Sequence, residues 1–190
     1  FLFKRKGRVI ANTGQTFRSF MADGYRAERA TINDWKLHLN TLFPEVRLKN
    51  TLELRACDSQ NRELLAAVVA LMTGIVYDTQ ALDEAWAMVE GFDYARVELD
   101  RPNLVKQGLA GTLCGEPMTR LAARTLEIAS GGLARRARLD EKGRDERAHL
   151  EPLARLIERG SCPADELLRG LEQGAELTSA ELIARTEIKL

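Results

Sequence analysis

From Leu64 to Tyr77 the chain carries no charged residue, and only Thr73 and Gly74 interrupt an apolar run bounded by Glu63 and Asp78. A segment that is apolar nearly all round at helical spacing has no face to offer to water, so other elements must enclose it. It is too short to span a bilayer, which takes about 20 predominantly apolar residues. The run therefore predicts a buried core helix over Asn61 to Tyr77 and gives no reason to expect a membrane partner. The chain has 190 residues, 45% hydrophobic and 29% charged, enough for one domain with a core and inconsistent with disorder or collagen.

Around that helix the pattern predicts an α+β fold that is predominantly helical. Gly7 to Ala11 is short and β-prone, and Thr16 to Ala22 carries Phe17, Phe20 and Met21 at helical spacing. Thr31 and Asp34 match the capping box [ST]xx[DE], which predicts a helix from Ile32 to Leu42 that stops before Phe43-Pro44. Past residue 60 the reading is helical almost throughout. A helix over Thr79 to Val89 ends at Gly91, and one opening at Glu116-Pro117 repeats Met118, Ala122, Leu126, Ala129 and Leu133. The pair Gly131-Gly132 is expected to weaken or end that helix near its middle. Leu150, Leu153 and Ile157 form another stripe, with further helix starts at Cys162-Pro163 and Thr178 to Glu181. No repeat or linker divides the chain, so residues 1–190 read as one unit, a strand and helix segment over 1–60 followed by a helical region over 61–190.

Twenty-eight basic residues balance 28 acidic ones, so no global field points to nucleic acid. The short run Lys4-Arg5-Lys6-Arg8 lacks the interleaved aromatics of a base-stacking surface. Residues 1–50 nevertheless carry a balance of plus six and residues 76–100 one of minus six, a pattern that ordinary solvated faces explain. Cys57, Cys114 and Cys162 are odd in number and widely spaced, which favours a reducing, cytoplasmic setting over a disulfide framework. The opening Phe-Leu-Phe-Lys-Arg-Lys has neither an initiator Met nor a signal-peptide pattern, and leads us to expect a chain that begins inside a longer protein.

The segment richest in chemistry is Glu45 to Asp58, which alternates with period two. Arg47, Lys49, Thr51, Glu53 and Arg55 fall on one face, and Val46, Leu48, Asn50, Leu52 and Leu54 on the other. An acid flanked by cations suits work on polyanions: Glu53 as a hard oxygen ligand for a divalent metal, Arg55 and Arg47 as bidentate grips on phosphate or carboxylate. The same residues equally suit a half-wet antiparallel strand stitched by cross-strand ion pairs. Dinucleotide, P-loop, HExxH and GxSxG signatures are missing, and His38 and His149 are the only histidines, so a His-rich metal site is excluded. His38, beside Trp35 and Leu39, reads as a packed, hydrogen-bonded residue, and Trp35 and Trp86 read as core. Cys57 has no local His to activate it as a nucleophile.

Asp34 through Lys49, containing Thr41-Leu42-Phe43-Pro44-Glu45-Val46-Arg47-Leu48-Lys49, and the following Leu52-Glu53-Leu54-Arg55 and Asp58 resemble the glutamate-cysteine ligase family of the plant and proteobacterial type. Gly14 to Met21, Ala81 to Trp86, Leu126 to Arg136, Leu150 to Leu153 and Pro163 to Leu168 extend the resemblance over nearly the whole chain. It implies a glutamine-synthetase-like active-site sheet and an ATP-dependent, Mg²⁺-assisted ligase. In that family ATP phosphorylates the side-chain carboxylate of glutamate, and the amine of cysteine displaces the phosphate to give γ-glutamylcysteine, the first step of glutathione synthesis. Glu53 is then the metal-ligand candidate and Arg55 the phosphate or carboxylate candidate, with Arg47, Lys49 and His38 in support. Ala56-Cys57 stands where the family has Gly-Ala, and Cys162 where it often has Thr, which implies a weaker helix cap there. The family's N-terminal half is missing, so this chain is expected to be the C-terminal part, inactive alone. A related ligase with another amine acceptor and a non-catalytic helical scaffold are the alternatives.

Overall fold

The computed structural model describes every residue except 13, 49, 170, 172–175 and 188–190. Its contacts divide the chain into two compact units, Phe1–Asp58 and Ser59–Leu190. The division falls close to the change from mixed to helical patterning at residues 60 and 61.

In the first unit β1 (Leu2–Arg5) and β2 (Arg8–Ala11) pair antiparallel, with Phe3 opposite Ile10. Lys6 (φ 47°) and Gly7 (φ 77°) make the tight turn between them. Thr16 caps α1 (Phe17–Asp23), and the expected capping box of Thr31 and Asp34 opens α2 (Ile32–Asn40). This helix closes two residues earlier than anticipated, at the Thr41 cap. A second antiparallel pair, β3 (Val46–Leu48) and β4 (Leu52–Leu54), follows it. Phe3, Phe17 and Phe20 are buried, and Phe3 stacks on Phe20 with ring centroids 4.9 Å apart. Trp35, anticipated in the core, is instead 38% exposed at the edge of this cluster.

One polar group ties strand to helix. The Arg5 guanidinium donates from Nη1 and Nη2 to the Asp34 carboxylate at 2.7 and 2.9 Å, and from Nε to Glu28 at 2.7 Å. Asp34 is buried, and the Arg5 hydrogen bonds hold its carboxyl at about 2, against the opposing effect of burial and below its ordinary 3.8. A depressed carboxyl adds stability that is fully present above its unfolded value and lost as pH falls through its folded one. The stability of residues 1–58 is therefore expected to fall between about pH 4 and pH 2. In Asp34→Asn, acid titration followed by circular dichroism should show a weaker unit whose acid limb is shallower over that range.

The second unit holds α3 (Arg62–Val76), α4 (Thr79–Val89), α5 (Tyr94–Gln107), α6 (Met118–Arg136), α7 (Glu151–Glu158), α8 (Pro163–Leu168) and α9 (Ser179–Thr186). Asn61 and Asp78 cap α3 and α4, which meet at a 93° bend. A small hairpin of β5 (Thr112–Leu113) and β6 (Glu116–Pro117) leads into α6 and interrupts the expected helical run. No single helix among the described residues is long and apolar enough to cross a membrane. The architecture is α+β and predominantly helical, with a few short antiparallel strand pairs.

Packing centres on the crossing of α3 and α6. A Cβ on Gly132 would fall inside contact distance of the Gly74 carbonyl, and one on Gly74 inside that of the Ala129 carbonyl. Ala70, Ala129, Leu133 and Leu150 are buried around this approach, with Leu71, Ile75 and Leu126 against them. This explains why α6 runs unbroken through Gly131-Gly132, where propensity predicted a weak point. Close packing of two backbones outweighs the roughly 1 kcal/mol that a glycine costs in a helix interior. The apolar run of α3 is not enclosed on every side: Leu64, Ala67, Ala70 and Gly74 are buried, whereas Leu65 and Val69 are exposed. Trp86, anticipated in the core, is 64% exposed on α4.

The two neighbouring glycines should respond oppositely to alanine. An added Cβ at Gly131 meets nothing nearer than the mobile end of Arg135, at 3.3 Å. Gly131→Ala should stabilise by up to about 1 kcal/mol through helix propensity. Gly132→Ala should destabilise by about 3 kcal/mol or more, because backbone rather than a side-chain tip stands in the way. Urea denaturation of both variants distinguishes the two outcomes.

Candidate functional site

The sequence between Glu45 and Asp58 folds as a hairpin and not as the single strand its alternation suggested. In the antiparallel pair of β3 and β4, Val46 stands opposite Leu54, Arg47 opposite Glu53 and Leu48 opposite Leu52. The chain reverses through Asn50 and Thr51, residue types that readily leave a ladder. Because residues directly opposite each other share a face, the period-two sorting survives the reversal. Arg47 and Glu53 are thus direct cross-strand neighbours. Lys49 lies outside the described residues.

Both oxygens of Glu53 are engaged. Arg47 donates from Nε and Nη2 to Oε2 at 2.9 and 2.7 Å, and Arg55 donates from Nη1 to Oε1 at 2.7 Å. The backbone N–H of Arg55 reaches the Glu45 carbonyl at 2.7 Å, extending the ladder by one rung. The Arg55 guanidinium also lies over the Phe43 ring, 5.2 Å from its centroid. Hydrogen bonds from Arg47 lead, ahead of those from Arg55, in holding the Glu53 carboxyl below its ordinary 4.5 against the opposing effect of burial. The carboxylate is therefore ionised at neutral pH. Arg47 and Arg55 are partly buried, while Val46, Leu48, Leu52 and Leu54 on the other face are exposed. The half-wet strand anticipated from the sequence is inverted: its charged face is the sheltered one.

A carboxylate offers about four lone-pair sites. Among the described residues Oε2 accepts two N–H groups and Oε1 one, which leaves a direction on Oε1 open. Mg²⁺ usually keeps several waters and takes only one or two carboxylates together with substrate phosphates. Glu53 fits that role as a single ligand. Among the described residues no group of three or more His, Cys, Asp or Glu side chains forms a complete metal site.

His38 makes no hydrogen bond to Arg47, Glu53 or Arg55. Its ring stacks on Phe17 with centroids 4.7 Å apart and an interplanar angle of 7°, and it also meets Phe1 and Trp35. The packed role expected for His38 is present, but its hydrogen bond is not: Nδ1 is buried without a partner among the described residues. All three cysteines are free thiols, and Cys57 is exposed. Phe43 was not anticipated at this site. Its position beneath Arg55 follows from the hairpin register, which returns Arg55 to Glu45, two residues past Phe43. A separate groove of about 770 Å³ in the second unit holds Arg155, Arg159 and Arg185, offset by Glu63, Glu166 and Glu187.

The sequence model of Glutamate-cysteine ligase family 2 (GCS2) matches residues 4–183. The chain belongs to this family. It is 35% identical over 167 residues to the chloroplastic glutamate–cysteine ligase of Medicago truncatula, an alignment covering 86% of this chain and 32% of that protein. The corresponding ligases of Solanum lycopersicum and Arabidopsis thaliana are 35% and 33% identical, each over 86% of this chain and 31% of their own length. The chain thus spans about a third of the curated glutamate–cysteine ligases it matches. The hairpin with its carboxylate and two guanidinium groups lies inside the matched region.

If the cross-strand ion pairs serve the site more than the fold, their loss should leave global stability unchanged, as is usual for half-exposed pairs. Glu53→Gln in the 190-residue chain should keep the urea midpoint of the parent while nuclear magnetic resonance shows the Arg47 and Arg55 side chains released.

Proposed function

We propose that this chain is the C-terminal part of an ATP-dependent glutamate–cysteine ligase. Its hairpin would act on phosphate during formation of γ-glutamylcysteine, the first step of glutathione synthesis. The observation that carries this reading is the posture of Arg55: one nitrogen is fixed by Glu53, while its other side-chain donors have no partner among the described residues. Such a guanidinium is ready for a planar, bidentate oxyanion.

In the proposed reaction the γ-carboxylate of glutamate attacks the γ-phosphorus of ATP, releasing ADP and leaving γ-glutamyl phosphate. The amine of cysteine then attacks the acyl carbon, phosphate departs with the bonding electrons, and the amine proton is lost. Phosphoryl transfer needs positioning and charge neutralisation more than covalent help from the protein. Arg55 would bind oxygens of the transferred group or of the glutamate carboxylate. Arg47 would hold Glu53 ionised and oriented, with Lys49 adding positive charge and His38 supporting α2 within the aromatic cluster. Mg²⁺, with Glu53 as one ligand, would neutralise phosphate charge. The remaining contacts would come from the part of a ligase that lies outside the matched third, so the 190-residue chain is expected to be inactive alone. A cytoplasmic location stays part of the proposal; the named relatives are chloroplastic.

In an intact ligase containing this segment, Glu53→Ala and Arg55→Ala should each cut turnover about a hundredfold or more, since one transition-state contact is typically worth roughly 3 kcal/mol. Near-normal ADP release by either purified variant would remove that residue from the site. A panel of amines offered in place of cysteine tests the acceptor, and cysteine should be the preferred substrate.

A further inference from the structure

We infer that Phe43 is a positioning residue for the Arg55 guanidinium, holding it in place where Arg55 meets its oxyanion. The inference rests on the ligase reading above and adds a residue to it. Phe43 is 72% exposed, so packing within this chain does not account for an aromatic ring at this point. Pro44 restricts it to extended backbone, and the hairpin returns Arg55 to Glu45 alongside. The guanidinium lies 5.2 Å from the ring centroid.

The geometry matters because of what a guanidinium has to spend. Its five N–H donors lie in one plane, and every in-plane partner consumes some of them. Arg47 spends Nε and Nη2 on Glu53. Arg55 gives Glu53 only Nη1 and has its guanidinium carbon over the Phe43 ring, a cation–π contact that holds the head group from a second side. Glu53 holds one edge of Arg55 and the Phe43 ring backs the group. Nε and Nη2, without a partner among the described residues, stay available for two oxygens of a phosphate or carboxylate. Of the two arginines, Arg55 is thereby the one prepared to take substrate, and Arg47 the one that holds Glu53.

Two measurements test this. In the 190-residue chain the δ-methylene protons of Arg55 should show an upfield ring-current shift that is retained in Phe43→Tyr and lost in Phe43→Leu, with the urea midpoint unchanged. In an intact ligase containing this segment, Phe43→Leu should lower kcat about tenfold with the KM for cysteine within about twofold, because a misplaced reacting group slows chemistry far more than it weakens a remote subsite. Phe43→Tyr should restore kcat to within about twofold of the parent. Equal kcat in the leucine and tyrosine variants, with Arg55→Ala inactive, overturns the role of Phe43 and leaves the ligase reading standing. Full activity in Arg55→Ala removes Arg55 from the site and the role of Phe43 with it, whereas failure of the parent enzyme to release ADP from ATP with glutamate and cysteine overturns the ligase reading itself.

Discussion

The helical unit depends on one close approach, that of Gly74 on α3 to Gly132 on α6. With no side chain on either, the two backbones come together where a single Cβ would collide with a carbonyl. Ala70, Ala129 and Leu133 then interlock around the crossing, and Leu150 closes it. Helix propensity argues against glycine at both positions, and tertiary packing overrides it. Neighbouring Gly131 shows the contrast, since nothing but an arginine tip lies near it.

The first unit is organised by charge as much as by its phenylalanine cluster. Arg5 joins β1 to the buried Asp34, which caps α2. The same chemistry recurs in the hairpin, where Glu53 is held by two guanidinium groups. The two carboxylates differ in use. Asp34 is buried and shared between a cation and a helix terminus, a structural arrangement. Glu53 is half open and sits beside Arg55, whose Nε and Nη2 have no partner among the described residues, and we propose this as an arrangement for a ligand.

Much of this was legible in the sequence, because it is written in local rules. The capping box at Thr31 and Asp34, the Asn61 to Tyr77 helix and the Thr79 to Val89 helix follow from spacing and cap residues alone. The sorting of Arg47, Glu53 and Arg55 onto one face was also visible, since alternation survives a hairpin turn. What was not visible depends on partners distant in sequence. The turn through Asn50 and Thr51 leaves no break in the alternation, so one strand and two look alike. The continuity of α6 rests on Gly74, more than fifty residues away. Phe43 beneath Arg55 needs the hairpin register. The exposure of Trp86 and of the outer face of α3 likewise depends on which neighbours cover them, which no periodicity reports.

The central claim is that this hairpin belongs to a ligase that activates a glutamate carboxylate by phosphorylation. Oxygen-isotope transfer tests it most directly. Glutamate labelled with ¹⁸O in its γ-carboxylate, turned over with ATP and cysteine by an intact ligase containing this segment, should yield inorganic phosphate carrying one labelled oxygen per turnover. Product formed while the phosphate stays unlabelled would contradict an acyl phosphate, and with it the part of Arg55 and Glu53 in binding the transferred group.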